Sequence, residues 1–139
     1  MSDPFKVVRD FEAALCAYTG APYAVTVTSC TAALLLAVAW HLRKDWSREH
    51  GSWLTTDGLN PKIEIPKRAY VGEHQSILHA GGRPTFRDEA WIGIYQLKSL
   101  PVWDSARWFT SGMFRGVIST AVLAGVSIAE SYRDMKGNM

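Results

Sequence analysis

The chain has 139 residues, of which 47% are hydrophobic and 20% are charged, and its formal net charge is +2. This balance excludes a disordered chain, and the small charge with scattered Lys and Arg argues against a nucleic-acid partner. The start has no signal-peptide pattern, and the apolar run over residues 116–129 is too short to cross a bilayer. Cys16 and Cys30 form neither a disulfide framework nor a CxxC metal signature. We therefore expect one domain over residues 1–139 in a soluble, reducing, cytoplasmic setting, with no membrane contact.

The first forty residues predict a helix, a strand and a second helix. Residues 4–19 have the pattern of an amphipathic helix, and Gly20 stands where a C-cap glycine belongs. Residues 23–27 (YAVTV) are rich in β-branched side chains and predict a short buried strand. The polar turn over residues 28–31 then leads into a mostly apolar helix over residues 32–42. The apolar stripe of the first helix consists of Val8, Phe11, Leu15 and Tyr18.

The middle of the chain alternates strands with a helix. Residues 45–60 are polar and contain two glycines, which predicts an irregular excursion. Residues 63–66 and 84–86 are strand candidates on either side of a predicted helix over residues 70–80. This alternation favours an α/β domain with a largely parallel sheet.

Two more strand candidates follow, over residues 91–96 and 101–103, with only a few residues between them. Parallel neighbours need a crossover of about a dozen residues or more. The short link therefore implies either a hairpin or a segment that lies outside the sheet. Residues 117–132 combine β-branched side chains with helical spacing, and we predict a helix there.

The turn between the first strand candidate and the second helix has the arrangement of an anion site. The free N–H groups at a helix start, the helix dipole and nearby hydroxyls all favour a negatively charged ligand. Ser29 and Thr31 supply the hydroxyls here. The alternative is that one of them simply caps its own helix, since Ser and Thr are preferred at that position.

Four segments together resemble a known family. Residues 11–20 (FEAALCAYTG) are similar to an F-E-x-x-x-A-x-Y-x-G opening, and residues 25–38 (VTVTSCTAALLLAV) to a V-x-S-S-G-T-A-A-L-x-L-A-L signature. Residues 63–88 (IEIPKRAYVGEHQSILHAGGRPTFRD) are similar to V-I-x-P-x-x-T-[FYW]-x-A-T-x-x-A-I-x-x-x-G-A-x-P-V-F-V-D, and residues 101–106 (PVWDSA) to V-I-E-D-A-A. In this order they resemble the DegT-type sugar aminotransferases, which depend on pyridoxal 5'-phosphate (PLP) and belong to fold type I.

The resemblance implies a fold and a domain plan. The fold would be a three-layer α/β/α arrangement with a mostly parallel sheet, corresponding to part of the large domain of a PLP-dependent transferase. Residues 1–110 would be the family-like part, and residues 111–139 a divergent tail.

The resemblance also implies how the cofactor would be held. Ser29, Cys30 and Thr31 would bind its phosphate, with Cys30 standing in place of the family's glycine. Tyr70 matches the aromatic residue that stacks on the pyridine ring, although it could also be an ordinary core aromatic at a helix start.

Two residues of the PVWDSA segment match positions near the ring itself. Asp104 matches the aspartate that pairs with the pyridinium nitrogen, and Ala106 the small residue beneath the ring. A carboxylate at that nitrogen keeps it protonated, so that the ring can act as an electron sink. The alternative is that Asp104 is a turn or capping acid after an apolar strand.

The last part of the match concerns the catalytic lysine. Residues 131–136 (SYRDMK) keep the Ser, Tyr and Lys spacing of an S-[FY]-[HS]-x-x-K motif, which makes Lys136 the candidate for the lysine that bonds to the cofactor. The alternative is a solvated lysine in the tail, because an amine nucleophile needs a structured site around it. The four histidines suggest no metal site.

These features predict a PLP-dependent aminotransferase-like protein, truncated at about the catalytic lysine and catalytically incomplete, that retains binding of PLP or of another phosphate-bearing small molecule. Two alternatives stay open. One is an active transferase that uses Lys136 or a lysine of a partner chain, and the other is a structural module that keeps the fold without a working site. Because a shortened sheet exposes an edge and an apolar face, we also expect a homo-oligomer with residues 116–129 in the interface.

Overall fold

The computed structural model describes residues 3–43 and 60–114, together with the backbone of residues 118–120. The helices are α1 (Lys6–Thr19), α2 (Cys30–His41) and α3 (Val71–His79). The strands are β1 (Lys62–Pro66), β2 (Arg83–Arg87), β3 (Tyr95–Leu97), β4 (Val102–Asp104) and β5 (Ile118–Thr120). The predicted excursion over residues 45–60 lies, apart from Asn60, outside the described residues.

Helix α1 confirms the amphipathic prediction and ends where it should. Gly20 takes a left-handed conformation with φ of 80°, and its N–H donates to the Cys16 carbonyl at 2.9 Å. A residue with a Cβ would be strained there, which is why glycine follows the last turn. The C-terminal part of α1 is also joined to later chain, because the Gly112 N–H donates to the Tyr18 carbonyl at 2.9 Å.

The predicted buried strand over residues 23–27 is wrong. The chain is irregular there, and Tyr23 and Val25 are 87% and 82% exposed. The segment is tied to α1 by a side chain instead of a neighbouring strand, since Glu12 Oε1 accepts from both the N–H and the hydroxyl of Thr26. A β-branched run forms a strand only where a partner edge is available, and here the polar anchor replaces that edge.

The β1–α3–β2 unit confirms the strand–helix–strand prediction. β1 and β2 are parallel, with Lys62 opposite Arg83 and Pro66 opposite Arg87. α3 is the crossover that parallel pairing requires. Gly82 lets the end of the crossover pack tightly, because a Cβ there would lie 2.9 Å from Ile77 Cγ2.

The predicted short link between strands is a hairpin. β3 and β4 are antiparallel, and the turn places Ser99 at a positive φ of 76°. The hairpin is joined to β1 by two hydrogen bonds, because the backbones of Glu64 and Lys98 exchange N–H donors at 3.1 and 2.9 Å. The strands therefore run side by side in the order β2, β1, β3, β4 and β5.

The helix predicted over residues 117–132 is wrong where the structure describes it. Residues 118–120 form β5, which pairs in parallel with β4, so that Ile118 stands opposite Val102. The extended preference of β-branched residues prevails there because β4 offers a free edge. The rest of that segment, including most of the proposed interface over residues 116–129, lies outside the described residues.

A single apolar core lies between the strands and helices α2 and α3, and the α/β class with mostly parallel pairing is confirmed. Six core side chains are completely shielded from solvent. Within residues 3–43 and 60–114, no helix is both long enough and apolar enough to cross a membrane. The completely shielded core residues are Val38, Ile63, Ile65, Ile77, Leu97 and Val102.

Candidate functional site

The start of α2 is capped by a side chain. Ser29 has an extended backbone, and its Oγ accepts from the Ala32 N–H at 3.1 Å. The capping interpretation of this serine is therefore confirmed. The cap occupies only one of the N–H groups that a helix start leaves without an intrahelical partner. The remaining donors, at the level of Cys30 and Thr31, still favour an anion.

Cys30 connects the start of α2 with the end of β4. It is the first residue of the helix and needs no left-handed backbone, so the glycine of the family motif is dispensable for local conformation. Its Sγ lies 4.0 Å from Asp104 Oδ1, across 74 positions of sequence. Burial, then the charges of Asp104 and Glu73, raise the pKa of the Cys30 thiol to about 12. The thiol is therefore neutral and poorly nucleophilic at physiological pH.

Thr31 and Tyr70 meet where α2 passes the start of α3. Both lie over Gly72, because a Cβ on that glycine would be 2.7 Å from Tyr70 Cε1 and 3.3 Å from Thr31 Oγ1. The Ser76 hydroxyl fixes the two helices together, lying 2.8 Å from the Gly72 carbonyl and 3.3 Å from the Thr31 carbonyl. The alternative for Tyr70, a core aromatic, is wrong, since its side chain is 70% exposed at the helix start.

Asp104 ends β4 as a buried carboxylate. It is 6% exposed, its Oδ1 accepts from the Ala106 N–H at 2.9 Å, and its Oδ2 lies 2.9 Å from the Tyr95 hydroxyl. The bond to Ala106 is the local turn that the alternative interpretation foresaw. Asp104 is also buried beside the Tyr95 hydroxyl and the Cys30 thiol. Closing a turn does not explain this burial, because burying a carboxylate costs free energy.

Two buried polar residues of the site were missed from the sequence. Glu73 on α3 is 1% exposed and Tyr95 on β3 is 3% exposed, and the Tyr95 hydroxyl bonds to both Glu73 Oε2 and Asp104 Oδ2. The signal for Glu73 was its place on the inner stripe of its helix, three and four residues before Ser76 and Ile77. No comparable signal marked Tyr95, which reads as an ordinary strand aromatic.

The site therefore has two parts. The rim is the exposed part at the two helix starts, and it consists of Ser29, Thr31 and Tyr70. The floor is the buried part beneath it, and it consists of Glu73, Tyr95 and Asp104.

Protonation of the floor follows from its burial. The pKa of Glu73 is raised to about 8, chiefly because burial removes solvent from its carboxyl group. The charge of Asp104 raises this pKa further, whereas the hydrogen bond to Tyr95 and the charge of Arg87 lower it. Burial also raises the pKa of the Tyr95 hydroxyl, with further contributions from both carboxyl groups. The tyrosine is thus a neutral donor, and Glu73 holds a proton through most of the physiological range.

The structure brings together five of the residues proposed from the sequence. Thr31 and Tyr70 share the rim above Gly72, and Cys30 lies against Asp104 and so near Ala106. Ser29 serves as the helix cap. Lys136 lies outside the described residues, so its place remains a prediction. Among the residues that the structure describes, no group of three or more His, Cys, Asp or Glu side chains is arranged to hold a metal ion.

The donor set fits a phosphate-bearing aromatic cation such as PLP. The α2 start offers N–H groups and the Thr31 hydroxyl for an anion, Tyr70 offers an exposed ring, and Asp104 offers a carboxylate with further lone pairs for a cationic nitrogen. The absence of a Cβ at Gly72 leaves the room that the Tyr70 ring and Thr31 occupy. Anion donors on one side of Cys30 and a buried acid on the other are the two anchors that such a ligand needs.

The fold and site define an α/β protein with a side-chain-capped helix start beside a buried carboxylate. The sequence model of the DegT/DnrJ/EryC1/StrS aminotransferase family matches residues 3–91. The chain belongs to this family. The match includes the rim and Glu73 and ends before Tyr95 and Asp104, so those two residues of the floor lie outside the matched range. Comparisons with curated proteins and with solved structures gave no match.

Proposed function

We propose that this chain is an aminotransferase-like protein that binds pyridoxal phosphate across its rim and floor. One observation carries the proposal: three segments far apart in sequence meet at the start of α2, where Thr31 lies beside Tyr70 and Cys30 Sγ lies 4.0 Å from Asp104 Oδ1. Family membership supports the choice of cofactor. When bound, the cofactor supplies an electron sink for chemistry at an amino group.

The residues have separate tasks in this proposal. The free N–H groups of α2 and the Thr31 hydroxyl bind the phosphate, with the helix dipole adding to the attraction. Tyr70 covers one face of the ring, and its exposure leaves it free to do so. Asp104 accepts from the ring nitrogen and holds the proton there, while the Ala106 N–H fixes the carboxylate.

Whether the protein also performs transamination depends on a lysine. The SYRDMK match makes Lys136 the residue to test. A lysine from a second copy of the chain could take the same role, and activity would then depend on the oligomeric state. Without either lysine, the protein is a binding relic of the family and catalytically incomplete.

The test is an absorbance titration of the full chain with PLP. We expect saturable binding that weakens by about tenfold or more in Asp104→Asn and Thr31→Ala, the change expected for one lost hydrogen bond to a charged group. Asp88→Asn is the matched control, because Asp88 is an exposed acid that lies 3.6 Å from Lys67 Nζ and outside the rim and floor. Equal binding by all four proteins, or none by the wild type, would contradict the proposal.

Borohydride reduction followed by peptide mass mapping decides the question of the lysine. An adduct at Lys136 that is absent from Lys136→Ala would make the chain a candidate enzyme, to be tested with an amino donor. Saturable binding without a specific adduct would leave a cofactor-binding relic. Absence of binding would favour the structural module, and the mass of the protein in solution would then show whether it assembles.

A further inference from the structure

The floor contains more carboxyl groups than its hydrogen bonds can satisfy in ionised form. The Tyr95 hydroxyl lies between Glu73 Oε2 and Asp104 Oδ2, yet it carries one proton and can donate to only one of them. The second oxygen–oxygen contact therefore needs a proton of its own. That proton must belong to one of the two carboxyl groups, which then donates to the tyrosine oxygen.

The two carboxyl groups differ in how well an ionised form would be stabilised. Asp104 has a backbone donor, the Ala106 N–H, in addition to the tyrosine. Glu73 is more deeply buried, and its Oε1 has no hydrogen-bond partner among the described residues. A carboxylate with two donors keeps its charge more readily than one with a bare buried oxygen. The geometry thus assigns the proton to Glu73.

The charged and titratable groups around Glu73 do not reverse this assignment. Asp104 on β4 and the Cys30 thiol on α2 offer it no positive charge, and Tyr95 on β3 is neutral. Among the residues that the structure describes, the cation that lowers the pKa of Glu73 is Arg87 on β2, and its guanidinium is held by the Glu64 and Gln96 carbonyls and by Glu89. The resulting pKa of about 8 for Glu73 agrees with the geometric argument.

Glu73 also occupies a position where the family motif quoted above has threonine. A threonine side chain is shorter than that of glutamic acid, whereas Glu73 spans the gap between α3 and the strand that carries Tyr95. The change places a proton donor behind the residue that faces Asp104. A buried acid in place of a small neutral residue is costly unless its proton has a use or a partner.

We infer that Glu73 is a positioning residue whose protonated carboxyl group donates a hydrogen bond to the Tyr95 oxygen. The Tyr95 hydroxyl then donates to Asp104 and holds that carboxylate in place for the cationic nitrogen of the bound ring. The hydrogen bonds run in one direction, from Glu73 to Tyr95 to Asp104. The part that concerns the ring rests on the proposed function, whereas the location of the proton does not.

The location of the proton is tested on the full chain without cofactor. Infrared spectroscopy resolves the carbonyl band of a protonated carboxylic acid from the bands of carboxylates. We expect such a band at pH 7 in the wild type, its loss as the pH rises through about 8, and its absence from Glu73→Gln. A band that persists in Glu73→Gln would assign the proton to Asp104, and no band in the wild type at pH 7 would overturn the inference.

The positioning role is tested with PLP at pH 7. Glu73→Ala should bind PLP about tenfold more weakly, whereas Glu73→Gln should restore most of the affinity, because its amide N–H can donate to Tyr95 as the protonated acid does. Combining Tyr95→Phe with Glu73→Gln should abolish the restoration. If Glu73→Gln binds as weakly as Glu73→Ala, the positioning role is wrong.

The infrared test and the binding test together distinguish this inference from the proposed function. A wild type that shows the infrared band but binds no PLP would retain the proton assignment and overturn both the proposed function and the positioning role. A wild type that binds PLP but lacks the band would keep the proposed function and overturn the inference that Glu73 is protonated and positions Tyr95. Asp88→Asn, which removes one exposed carboxylate, should leave the band unchanged and is the control for both tests.

Discussion

The rim and the floor lie next to each other but differ in their exposure to solvent. Tyr70 on the rim is 70% exposed, whereas Glu73, three residues later on the same helix, is 1% exposed. The rim offers hydroxyls, N–H groups and a ring to the solvent, so forming it costs little and its groups remain available to a ligand. The floor withdraws two carboxyl groups and a phenol from water, and such burial is tolerated only when protons and hydrogen bonds are shared.

This difference separates the effects of mutation. Changes at Thr31 and Tyr70 on the rim should alter binding and leave stability almost intact, whereas changes on the floor should alter both; Ser29 is the exception on the rim, because it also caps α2. Mutants that break this pattern would show that the two parts are not the separate units described here.

The largest effect should be the pH dependence of stability that Glu73 creates. Its pKa rises from an ordinary 4.5 to about 8 on folding, so the folded state keeps a proton that the unfolded state releases. The contribution of this group is therefore fully present below pH 4.5, is lost as the pH rises toward 8, and is constant above that. The total loss is up to about 5 kcal/mol, since the pKa changes by about 3.5 units and one unit corresponds to about 1.4 kcal/mol.

Urea unfolding of the wild type and of Glu73→Gln between pH 5 and 9 measures this contribution. The free energy of unfolding of the wild type should fall with pH relative to that of Glu73→Gln, and the difference should level off above about pH 8. Asp88→Asn should follow the wild-type curve. Parallel curves for the wild type and Glu73→Gln would mean that the floor is hydrated and that the contrast with the rim is weak.

The next effect concerns the tyrosine of the floor. Tyr95→Phe removes the hydroxyl that contacts Glu73 Oε2 and Asp104 Oδ2, so these buried oxygens lose a hydrogen-bond partner. The loss should lower the free energy of unfolding by about 1 to 3 kcal/mol. Tyr23→Phe is the matched control: its side chain is 87% exposed, and the change should stay within about 0.5 kcal/mol. Equal and small effects from the two tyrosines, measured by urea unfolding, would contradict the buried hydrogen bonds.

The smallest effects should distinguish two hydroxyls within the same turn. Ser29→Ala removes the cap of α2 and should cost about 1 kcal/mol of stability. Thr31→Ala removes an exposed hydroxyl and should stay within about 0.5 kcal/mol while it weakens PLP binding. Thermal unfolding with and without PLP measures both. If Thr31→Ala destabilises the free protein more than Ser29→Ala does, the assignment of cap and ligand donor is reversed.

Local patterns predicted those elements whose neighbours are close in sequence. The periodicity of α1 and the glycine after it, the β1–α3–β2 crossover and the tight β3–β4 hairpin are all confirmed, because their geometry depends on chain length and on residues within one or two turns. Two predictions are wrong, the strand over residues 23–27 and the part at residues 118–120 of the helix predicted over residues 117–132, and both concern β-branched segments. Their structure depends on whether a partner edge is free, which local sequence does not specify.

The sequence by itself determined the class of fold and the family, and it predicted the residues of the rim together with Asp104, because each of these depends on short motifs with fixed spacing. Only the tertiary structure placed Glu73 and Tyr95 beside Asp104. Glu73, Tyr95 and Asp104 come from a helix and two strands, and their contact follows from how those elements pack. The protonation of a carboxyl group depends on the water that packing removes and on the donors that packing supplies, so the chemistry of the floor exists only in the folded chain.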